Sequence, residues 1–360
     1  MSTFYKIYIP FFMLMICTSM LAQKTSSKTI NKTYKLTNSG ELYLENKYGN
    51  ININGWDKEE IQITIDIEVT NKKSDDADEI LDRIQPKFRT TDNYANVISE
   101  ITEKSTSFFA KYFNKINPLD IEKSNISINY TINLPANADI EIINKFGDII
   151  LNNWTGKLQV AQKHGDIWIN ESISNADIDL KYGKLKTKSI DYGRIDLKNG
   201  NIELDKAKYL SLKTSGTTIK INRIDKLDFT SNKDDAEFNY IGETKADLKF
   251  SSVLIREIDN DAFFNTKITD LEVSSINEPD SKIEINQVSS DITVNISNIS
   301  FVFESYLEQG VLKLPKSFKE IDTNIIDDGK KIREITASYG NIKKGIFSVT
   351  GKKGTITLTE

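Results

Sequence analysis

A short sequence unit, a turn followed by a strand, recurs many times along this chain. Residues 46–56 read Asn-Lys-Tyr-Gly-Asn-Ile-Asn-Ile-Asn-Gly-Trp, and residues 144–154 read Asn-Lys-Phe-Gly-Asp-Ile-Ile-Leu-Asn-Asn-Trp. The core of the unit is a glycine, a polar residue and two aliphatic residues that are one position apart. Repetition of such a unit is typical of folds that stack strand on strand. The core recurs after Gly165, Gly193, Gly200 and Gly354, and more weakly after Gly183 and Gly340.

The two aliphatic residues of each unit should point into one shared interior, because side chains alternate along a strand. The glycine is expected to take a positive φ at a corner, where other residues are strained. The residue between the aliphatic pair, such as Trp168, should face outward. The inward pairs are Ile51/Ile53, Ile149/Leu151, Ile167/Ile169, Ile195/Leu197, Ile202/Leu204 and Ile356/Leu358.

The spacing of the glycines predicts an all-β, irregular β-solenoid of stacked short strands. Gly147, Gly165 and Gly183 are evenly spaced, whereas the intervals after Gly193 become uneven. We therefore expect a repeat that loses its regularity there. The predicted division of the chain is a signal peptide at 1–22, an N-terminal β-strand region at 23–136 and the solenoid at 137–360.

One helix is predicted near residues 75–85 of the N-terminal region. Its apolar residues fall on a single stripe, and Pro86 should end it. That stripe consists of Ala77, Ile80, Leu81 and Ile84.

Two segments are predicted to be loops, at 104–124 and at 322–331. The first contains Phe108, Phe109, Tyr112 and Phe113 without a clear period, and these aromatic residues would cover a sheet edge. At the C-terminus, Lys352, Lys353 and Glu360 should discourage edge-to-edge growth of an exposed last strand.

The first 22 residues have the pattern of a secretory signal peptide. Lys6 gives a small positive region, an apolar run extends to Leu21, and Ala22 suits cleavage. A lipoprotein beginning at Cys17 is the alternative, although Ile16 is larger than the residue that usually precedes a lipidated cysteine. The expected location is the periplasm, the outer-membrane surface or the extracellular space, with no transmembrane span after cleavage and no disulfide.

The charge balance argues against nucleic-acid binding. Charged residues make up 28% of the chain with both signs interspersed, and the formal net charge is −5. Nucleic-acid surfaces depend on basic groups that neutralise phosphates. No nucleic-acid partner is expected.

These features resemble exported bacterial proteins of the "putative adhesin" domain family. The resemblance rests on the aromatic-Gly-Asp/Asn-Ile steps, the alternating strand closed by Leu134-Pro135 and the leader ending in Leu21-Ala22-Gln23. It covers roughly residues 40–360. The leader and the Ile-, Asn- and Lys-rich mature chain suit a Bacteroidetes-like organism. It implies a short β-solenoid related to the head domains of autotransporter adhesins, with no catalytic or binding residues to carry over.

The sequence lacks the common catalytic motifs. With His164 as its single histidine and Cys17 as its single cysteine, it cannot build His/Cys metal sites or Ser-His-Asp and Cys-His catalytic sites. His164 occupies the aromatic position before Gly165, which favours a role in the turn. No catalytic residue, metal site or cofactor is predicted.

Carboxylate clusters are the remaining route to an enzyme, because acidic pairs can cleave glycosidic bonds, sometimes with calcium. Neighbouring carboxylates in loops are more often solvated turn residues. The candidates are Asp234 with Asp235, Asp327 with Asp328, and Asp259 with Asp261.

Aromatic residues near the turns are the candidate ligand contacts, since rings on a β-surface can stack on sugars or anchor a protein. The competing interpretation is that they cover glycines and pack on the next unit. Trp168, predicted to face outward in mid-strand, is the strongest candidate. The full set is Trp168, Trp154, Tyr182 and Tyr192, with Trp56 considered beside them.

The sequence therefore predicts an exported, non-enzymatic adhesin or surface-interaction protein. Its ladder faces would contact a glycan or a cell-surface protein. The first alternative is a periplasmic or envelope scaffold, or a partner protein of a stress-sensing system. The second is a polysaccharide-active β-helix enzyme.

Overall fold

The computed structural model describes residues 24–71, 74–101, 125–341 and 344–360. Strand makes up 74% of the structure, and the sheet is open and not closed into a barrel. The all-β class with one short helix is therefore confirmed. The predicted signal peptide with Cys17, and the aromatic loop from Phe108 to Phe113, lie outside the described residues.

The N-terminal part contributes seven strands and the helix. The described residues contain no helix long and apolar enough to span a membrane. In chain order the elements are β1 Lys24–Lys35, β2 Glu41–Glu45, β3 Ile51–Trp56, β4 Glu60–Asn71, α1 Ser74–Arg83, β5 Ile84–Thr91, β6 Tyr94–Ile101 and β7 Asn125–Pro135.

The central and C-terminal parts contribute the other strands. The central ones are β8 Asp139–Asn144, β9 Ile149–Asn152, β10 Lys157–Lys163, β11 Ile167–Lys181, β12 Lys184–Lys198, β13 Asn201–Ser215, β14 Thr218–Asn232, β15 Asp235–Lys249, β16 Ser252–Ile258, β17 Ala262–Lys267, β18 Asp270–Val273, β19 Lys282–Val288 and β20 Asp291–Asn295. The C-terminal ones are β21 Phe301–Glu308, β22 Val311–Lys313, β23 Lys319–Asp327, β24 Ile332–Tyr339, β25 Gly345–Lys352 and β26 Thr355–Thr359.

The long strands β11 to β15 stack in parallel, one coil on the next. Leu185 pairs with Ile202, Ile202 with Ile219 and Ile219 with Ala236, so each coil advances the chain by 17 residues. The same step carries Ala236 to Val253. The coils therefore keep an even length beyond Gly193, up to Val253, although the glycines stop marking them. Their length becomes uneven only after that point, because Val253 pairs with Leu271 and Leu271 with Ile292.

Each coil contributes to two parallel ladders, which we name face A and face B. Face A contains the strands that follow the glycine turns: β7, β3, β9, the first halves of β11 to β15, β16, β18, β20, β26 and β22. Face B contains β6, β2, β8, β10, the second halves of β11 to β15, β17, β19, β25 and β21 in parallel. At its C-terminal end β24 and β23 extend it as antiparallel strands.

The two most similar sequence units lie on neighbouring coils. In face A, β3 pairs with β9 through Ile51 and Ile149, and in face B β2 pairs with β8. The residues between them form β4 to β7 and α1, and β4 pairs antiparallel with both β1 and β7. The boundary predicted at 136/137 thus falls between β7 of face A and β8 of face B, two consecutive strands of the same 26-stranded sheet.

A second insertion lies near the C-terminus. β20 pairs with β26 through Ile292 and Ile356, and the residues between them form β21 to β25. The predicted loop at 322–331 is wrong at its start, since β23 extends to Asp327 and pairs antiparallel with β24. The last strand is not an edge either, because β26 lies between β20 and β22, and Lys352 pairs with Glu308 at 2.8 Å.

The predicted inward residues form the core. Every one of the six aliphatic pairs is buried, with at most 3% of any side chain exposed. At the N-terminal end Lys28 Nζ donates to the carbonyls of Leu81 and Ile84, both at 2.8 Å, at the end of α1. The fold therefore rests on one continuous apolar interior with ladder hydrogen bonds around it.

Candidate functional site

The glycine of the unit is required by close backbone approach between coils. Gly147 and Gly165 have φ of 120° and 145°, where other residues are strained. A Cβ on Gly165 would overlap the carbonyl oxygen of Gly147, and a Cβ on Gly147 would overlap that of Gly49. Six predicted turn glycines, Gly49, Gly147, Gly165, Gly183, Gly200 and Gly354, lie in bends between strands.

Gly193 is a correction to that set. It lies inside β12, buried, opposite Ala176 and Leu210 of the neighbouring coils, and it has no positive φ. Its glycine-polar-aliphatic pattern arises because face B also alternates. Gly193 is an interior strand position and not a turn.

The polar residue after the glycine ties one coil to the next. Asn50 Oδ1 accepts a hydrogen bond from the Asp148 amide, and Asp148 Oδ1 accepts one from the Asp166 amide, both at 2.8 Å. Asp166 Oδ1 accepts from the Lys184 amide at the same distance. These side chains satisfy backbone donors at the corner that strand pairing leaves free.

In four units the residue before the turn glycine carries a ring, and these rings stack on one another. We name this stack the aromatic corner: Tyr48, Phe146, His164 and Tyr182. Successive ring centroids are 5.6, 5.1 and 4.9 Å apart, and the planes lie within 8° of parallel. Lys47 and Lys145 place their ammonium groups 4.8 and 5.3 Å from the rings of Tyr48 and Phe146. His164 therefore packs between two rings, as expected for a turn residue, and Tyr182 ends the stack with 51% of its surface exposed.

Face A presents the exposed indole that the sequence predicts. Trp168 is 37% exposed and lies in its ladder between Ile150 and Lys186. The Lys186 ammonium is 5.6 Å from the centre of the ring. The ring thus stands on a parallel sheet with a cation beside it.

A row of amide side chains runs next to Trp168. Asn152 Nδ2 donates to Asn54 Oδ1 at 3.2 Å, and Asn170 Nδ2 donates to Asn152 Oδ1 at 2.6 Å. We name these three residues the amide row. Sequence reasoning missed it, although each asparagine follows its turn glycine by five positions, and that offset is a readable signal.

The amide row leads into a shallow charged groove of about 520 Å³ on face A. Its wall includes Asn170, Lys186, Glu203 and Asn222. Lys184 Nζ lies 2.5 Å from Glu203 Oε1, and this hydrogen bond lowers the pKa of the Glu203 carboxyl. The groove thus offers amides and fixed ion pairs rather than an unpaired acid that could transfer a proton.

Trp154 is a correction among the predicted ligand contacts. Its side chain is completely buried, and its Nε1 donates to the Ala138 carbonyl at 2.8 Å. The indole packs beneath the turn and cannot meet a ligand.

The other predicted aromatic contacts lie apart from Trp168. Tyr182 ends the aromatic corner, whereas Tyr192, 56% exposed, pairs with Tyr209 and borders a face B groove with Arg194. The ring of Trp56 is covered by Lys58, and its Nε1 donates to the Glu60 carbonyl at 2.8 Å. The predicted residues therefore occupy separate surfaces and do not form one site.

The carboxylate candidates serve turns. Asp234 is 4% exposed and accepts from the hydroxyls of Thr214 and Ser231 and from the amides of Thr217 and Asn232, at 2.5 to 3.0 Å. Asp261 Oδ1 accepts from the Lys282 amide, and Asp327 Oδ1 from the Lys330 amide. Across the described ranges, no cluster of three His, Cys, Asp or Glu side chains could hold a metal ion.

The later coils carry exposed apolar residues at the same corner. Phe250 and Ile268 are 47% and 52% exposed and have φ of 56° and 51°. A β-branched residue in this region is strained. The same corner position has a positive φ in the other coils too, where it is held by Tyr182, Asn199, Gly216, Lys233, Ser289 and Lys353.

No family model matches this chain, and no curated protein matches it. Solved structures with a similar fold include a "putative adhesin" from Parabacteroides merdae, at 14% identity over 77% of this chain and 92% of that one, with a TM-score of 0.33. A "putative cell adhesion protein" from Clostridium sporogenes is 14% identical over 93% and 99%, with a TM-score of 0.19. A "Putative lipid binding protein" from Parabacteroides distasonis is 12% identical over 76% and 93%, with a TM-score of 0.29.

The first two of these proteins bear the kind of name that the sequence resemblance predicts. All three identities lie far below 25%, and the TM-scores lie below 0.5. The likeness therefore says nothing about what this chain binds.

Proposed function

We propose that the chain is an exported, non-enzymatic surface-interaction protein that binds an extended glycan along face A. The observation that carries the proposal is the exposed Trp168 ring standing beside the amide row. A sugar can bind such a surface in two ways. Its apolar face stacks on an aromatic ring, and its hydroxyls form hydrogen bonds with amide side chains.

The repeat of the coils supports a polymer rather than a single small ligand. Neighbouring coils place equivalent side chains one strand spacing apart, about 4.8 Å. The amide row and the groove that contains Asn222 follow one another along face A. A chain of sugars could therefore lie across several coils and make many weak contacts at once.

Non-enzymatic binding is supported by the arrangement of the carboxylates in the groove and at the turns. The ion pair with Lys184 keeps Glu203 a carboxylate. The carboxylate of Asp234 already accepts four hydrogen bonds at a turn. Glycosidases need one protonated and one ionised carboxyl group facing the same bond. These acids are arranged to hold the fold.

A glycan array probed with purified protein tests the proposal. Trp168→Ala should abolish or strongly reduce the signal, whereas Tyr192→Ala, an exposed aromatic residue at the edge of face B, should leave it unchanged. Binding that survives Trp168→Ala would contradict the site. Release of reducing ends from pectin or alginate, with or without calcium, would contradict the non-enzymatic role.

An envelope scaffold is the second candidate function, favoured by Phe250 and Ile268, since apolar residues kept exposed at strained angles suit a protein partner. Protease accessibility on intact cells, with a periplasmic control protein, separates the two. Digestion without permeabilisation supports surface exposure. Protection until the outer membrane is opened supports the scaffold.

A further inference from the structure

Another groove, of about 510 Å³, lies on face B near the C-terminal end of the molecule. One row of side chains crosses it in register, and we name it the face B row. Because neighbouring strands lie about 4.8 Å apart, the row extends over roughly 19 Å. Its members are Asp247 of β15, Asn265 of β17, Asn286 of β19, Thr350 of β25 and Tyr306 of β21.

The first half of the row is tied together, whereas the second half offers unused polar groups. Asn265 Nδ2 donates to Asp247 Oδ1 at 2.8 Å, and Asn286 Nδ2 donates to Asn265 Oδ1 at 3.3 Å. Within the described ranges, Asn286 Oδ1 and the hydroxyls of Thr350 and Tyr306 have no hydrogen-bond partner. The Tyr306 ring is 41% exposed. The row thus combines fixed amides, free hydrogen-bonding groups and an open aromatic ring.

Two lysines without an acid partner lie at the rim of this groove. Lys249 and Lys267 are exposed and directly opposite one another in the ladder. Like charges at that distance repel each other. In the part of the chain that the structure describes, neither lysine forms an ion pair. The other charged groups of the groove are already engaged, since Asp247 accepts a hydrogen bond within the row and Glu308 pairs with Lys352 at 2.8 Å.

Earlier coils show how this protein neutralises such lysines. Lys181 and Lys198 lie opposite one another in the same column, on β11 and β12. Each is 3.8 Å from the carboxylate two positions before it, Asp179 and Asp196 respectively. On β17 the corresponding position holds the uncharged Asn265. Two positive charges therefore remain at the groove without an acid from the chain.

We propose that this groove binds an acidic oligosaccharide. One sugar stacks on the Tyr306 ring, sugar hydroxyls meet Asn286 and Thr350, and a carboxylate or sulfate group lies between Lys249 and Lys267. Lys267 and Tyr306 are three strands apart, roughly 14 Å, so the ligand contains more than one sugar. Its negative charge removes the repulsion between the two lysines.

The site is separate from the glycan surface proposed on face A and does not depend on it. Eight strand spacings of face B, roughly 38 Å, separate the strand that carries Trp168 from the strand that carries Tyr306. With both sites occupied, one molecule could hold two glycan chains. Two weak sites on one molecule strengthen attachment to a polymer.

Isothermal titration calorimetry with matched oligosaccharides tests the proposal. The purified chain should bind an oligogalacturonate or a dextran sulfate oligosaccharide, and the tighter ligand identifies the anionic group as carboxylate or sulfate. Their uncharged counterparts, fully methyl-esterified oligogalacturonate and dextran, should bind at least about tenfold more weakly. Ionic strength of about 1 M, where the Debye length is about 3 Å, should also weaken binding of the acidic ligand.

Substitutions locate the site. Lys249→Gln with Lys267→Gln should weaken binding of the acidic ligand by at least about tenfold, and Tyr306→Ala should weaken it as well. Lys181→Gln with Lys198→Gln is the matched control, because it makes the same change where the chain already supplies acids. It should leave the affinity unchanged. Trp168→Ala should leave the binding that depends on Lys249 and Lys267 intact, and its effect on other glycans tests face A alone.

Thermal denaturation separates loss of binding from loss of fold. The Lys249→Gln, Lys267→Gln variant should melt no lower than the wild type, because two repelling charges are removed. A lower melting temperature would contradict the repulsion on which the site rests. Equal binding of uncharged saccharides or of poly-L-glutamate, an equal loss in the Lys181 and Lys198 control, or no binding of either acidic oligosaccharide would overturn the proposal.

Discussion

The rings of Tyr48 and Phe146 stack with centroids 5.6 Å apart and planes 6° from parallel, although the units that carry them are 98 positions apart in the chain. The chain leaves the stack after β3, builds the N-terminal end from β4 to β7 and α1, and returns at the next coil. Repeats that are uneven in sequence are therefore even in space. Face A and the aromatic corner exist because of this return.

Replacing the turn glycines should destabilise the fold. Gly165→Val introduces a Cβ at φ 145° against the Gly147 carbonyl, and we expect a loss of about 2 kcal/mol or more in the free energy of unfolding. Gly183→Val should also lower it, because its Cβ would overlap the Gly165 carbonyl. Thermal denaturation measures both.

Gly329→Val is the control for these variants. The only heavy atom near its Cβ is Asp327 Oδ1 at 3.4 Å, and its φ is not positive. Its melting temperature should stay close to that of the wild type. Unchanged melting of both Gly165→Val and Gly183→Val would refute the close approach of the coils.

Alanine substitutions at Trp154 and Trp168 should distinguish a buried indole from an exposed one. Trp154→Ala removes a fully buried indole and should cost about 3 to 5 kcal/mol of stability, whereas Trp168→Ala should cost no more than about 1 kcal/mol. Urea denaturation followed by circular dichroism compares them. Equal losses would mean that Trp168 belongs to the core.

Relief of backbone strain at Ile268 should stabilise the chain. Asparagine tolerates the left-handed region better than a β-branched residue, so Ile268→Asn should raise the free energy of unfolding by about 0.5 to 1 kcal/mol. Ile346→Asn, at a similarly exposed residue of β25 without positive φ, should bring no gain. If Ile268→Asn lowered the free energy of unfolding as much as Ile346→Asn, the backbone at Ile268 would carry no strain.

Alkaline pH should destabilise the fold through Tyr130. Burial raises the pKa of its phenol from 10.0 to about 12, and Ser99 shares a hydrogen bond with it at 2.5 Å. The unfolded chain then loses this proton at lower pH than the folded one. The stabilisation is complete below pH 10.0 and is lost as pH rises to about 12.

Tyr130→Phe isolates that contribution. The wild type should lose about 2 to 3 kcal/mol more than the variant across this pH interval, because one pKa unit is worth about 1.4 kcal/mol. Urea denaturation at a series of pH values measures the difference. Parallel curves for the two proteins would mean that Tyr130 titrates normally.

The sequence predicts the inward half of each unit well, because alternation alone determines which side chains share an interior. It does not show that the coils keep an even length past Gly200, since Thr217, Asp234 and Ser251 replace the glycine in later turns. Asp234 does so by accepting four hydrogen bonds that close the turn.

The candidate site could be predicted only in part. Trp168 faces outward because its strand position requires it, whereas Trp154 turns inward beneath a bend, where no period applies. The amide row forms because Asn54 and Asn152 lie on neighbouring coils. The sequence does not reveal that they are neighbours, because they are 98 residues apart. The second part of β23, from Asp322 onward, lies in the predicted loop because its charges and turn residues outweigh its isoleucines.

Cross-linking between Asn54 and Asn152 tests the even stacking of distant units most directly. The two residues occupy adjacent strands of face A, whose Cα atoms are about 4.8 Å apart and within disulfide range. With Cys17→Ser in the background, Asn54→Cys with Asn152→Cys should form an intramolecular disulfide, detected by mass spectrometry of the linked peptides. Asn54→Cys with Asn170→Cys, two coils apart, should not; cysteines that stay free in the first pair, or link equally in the second, would contradict the coil stack.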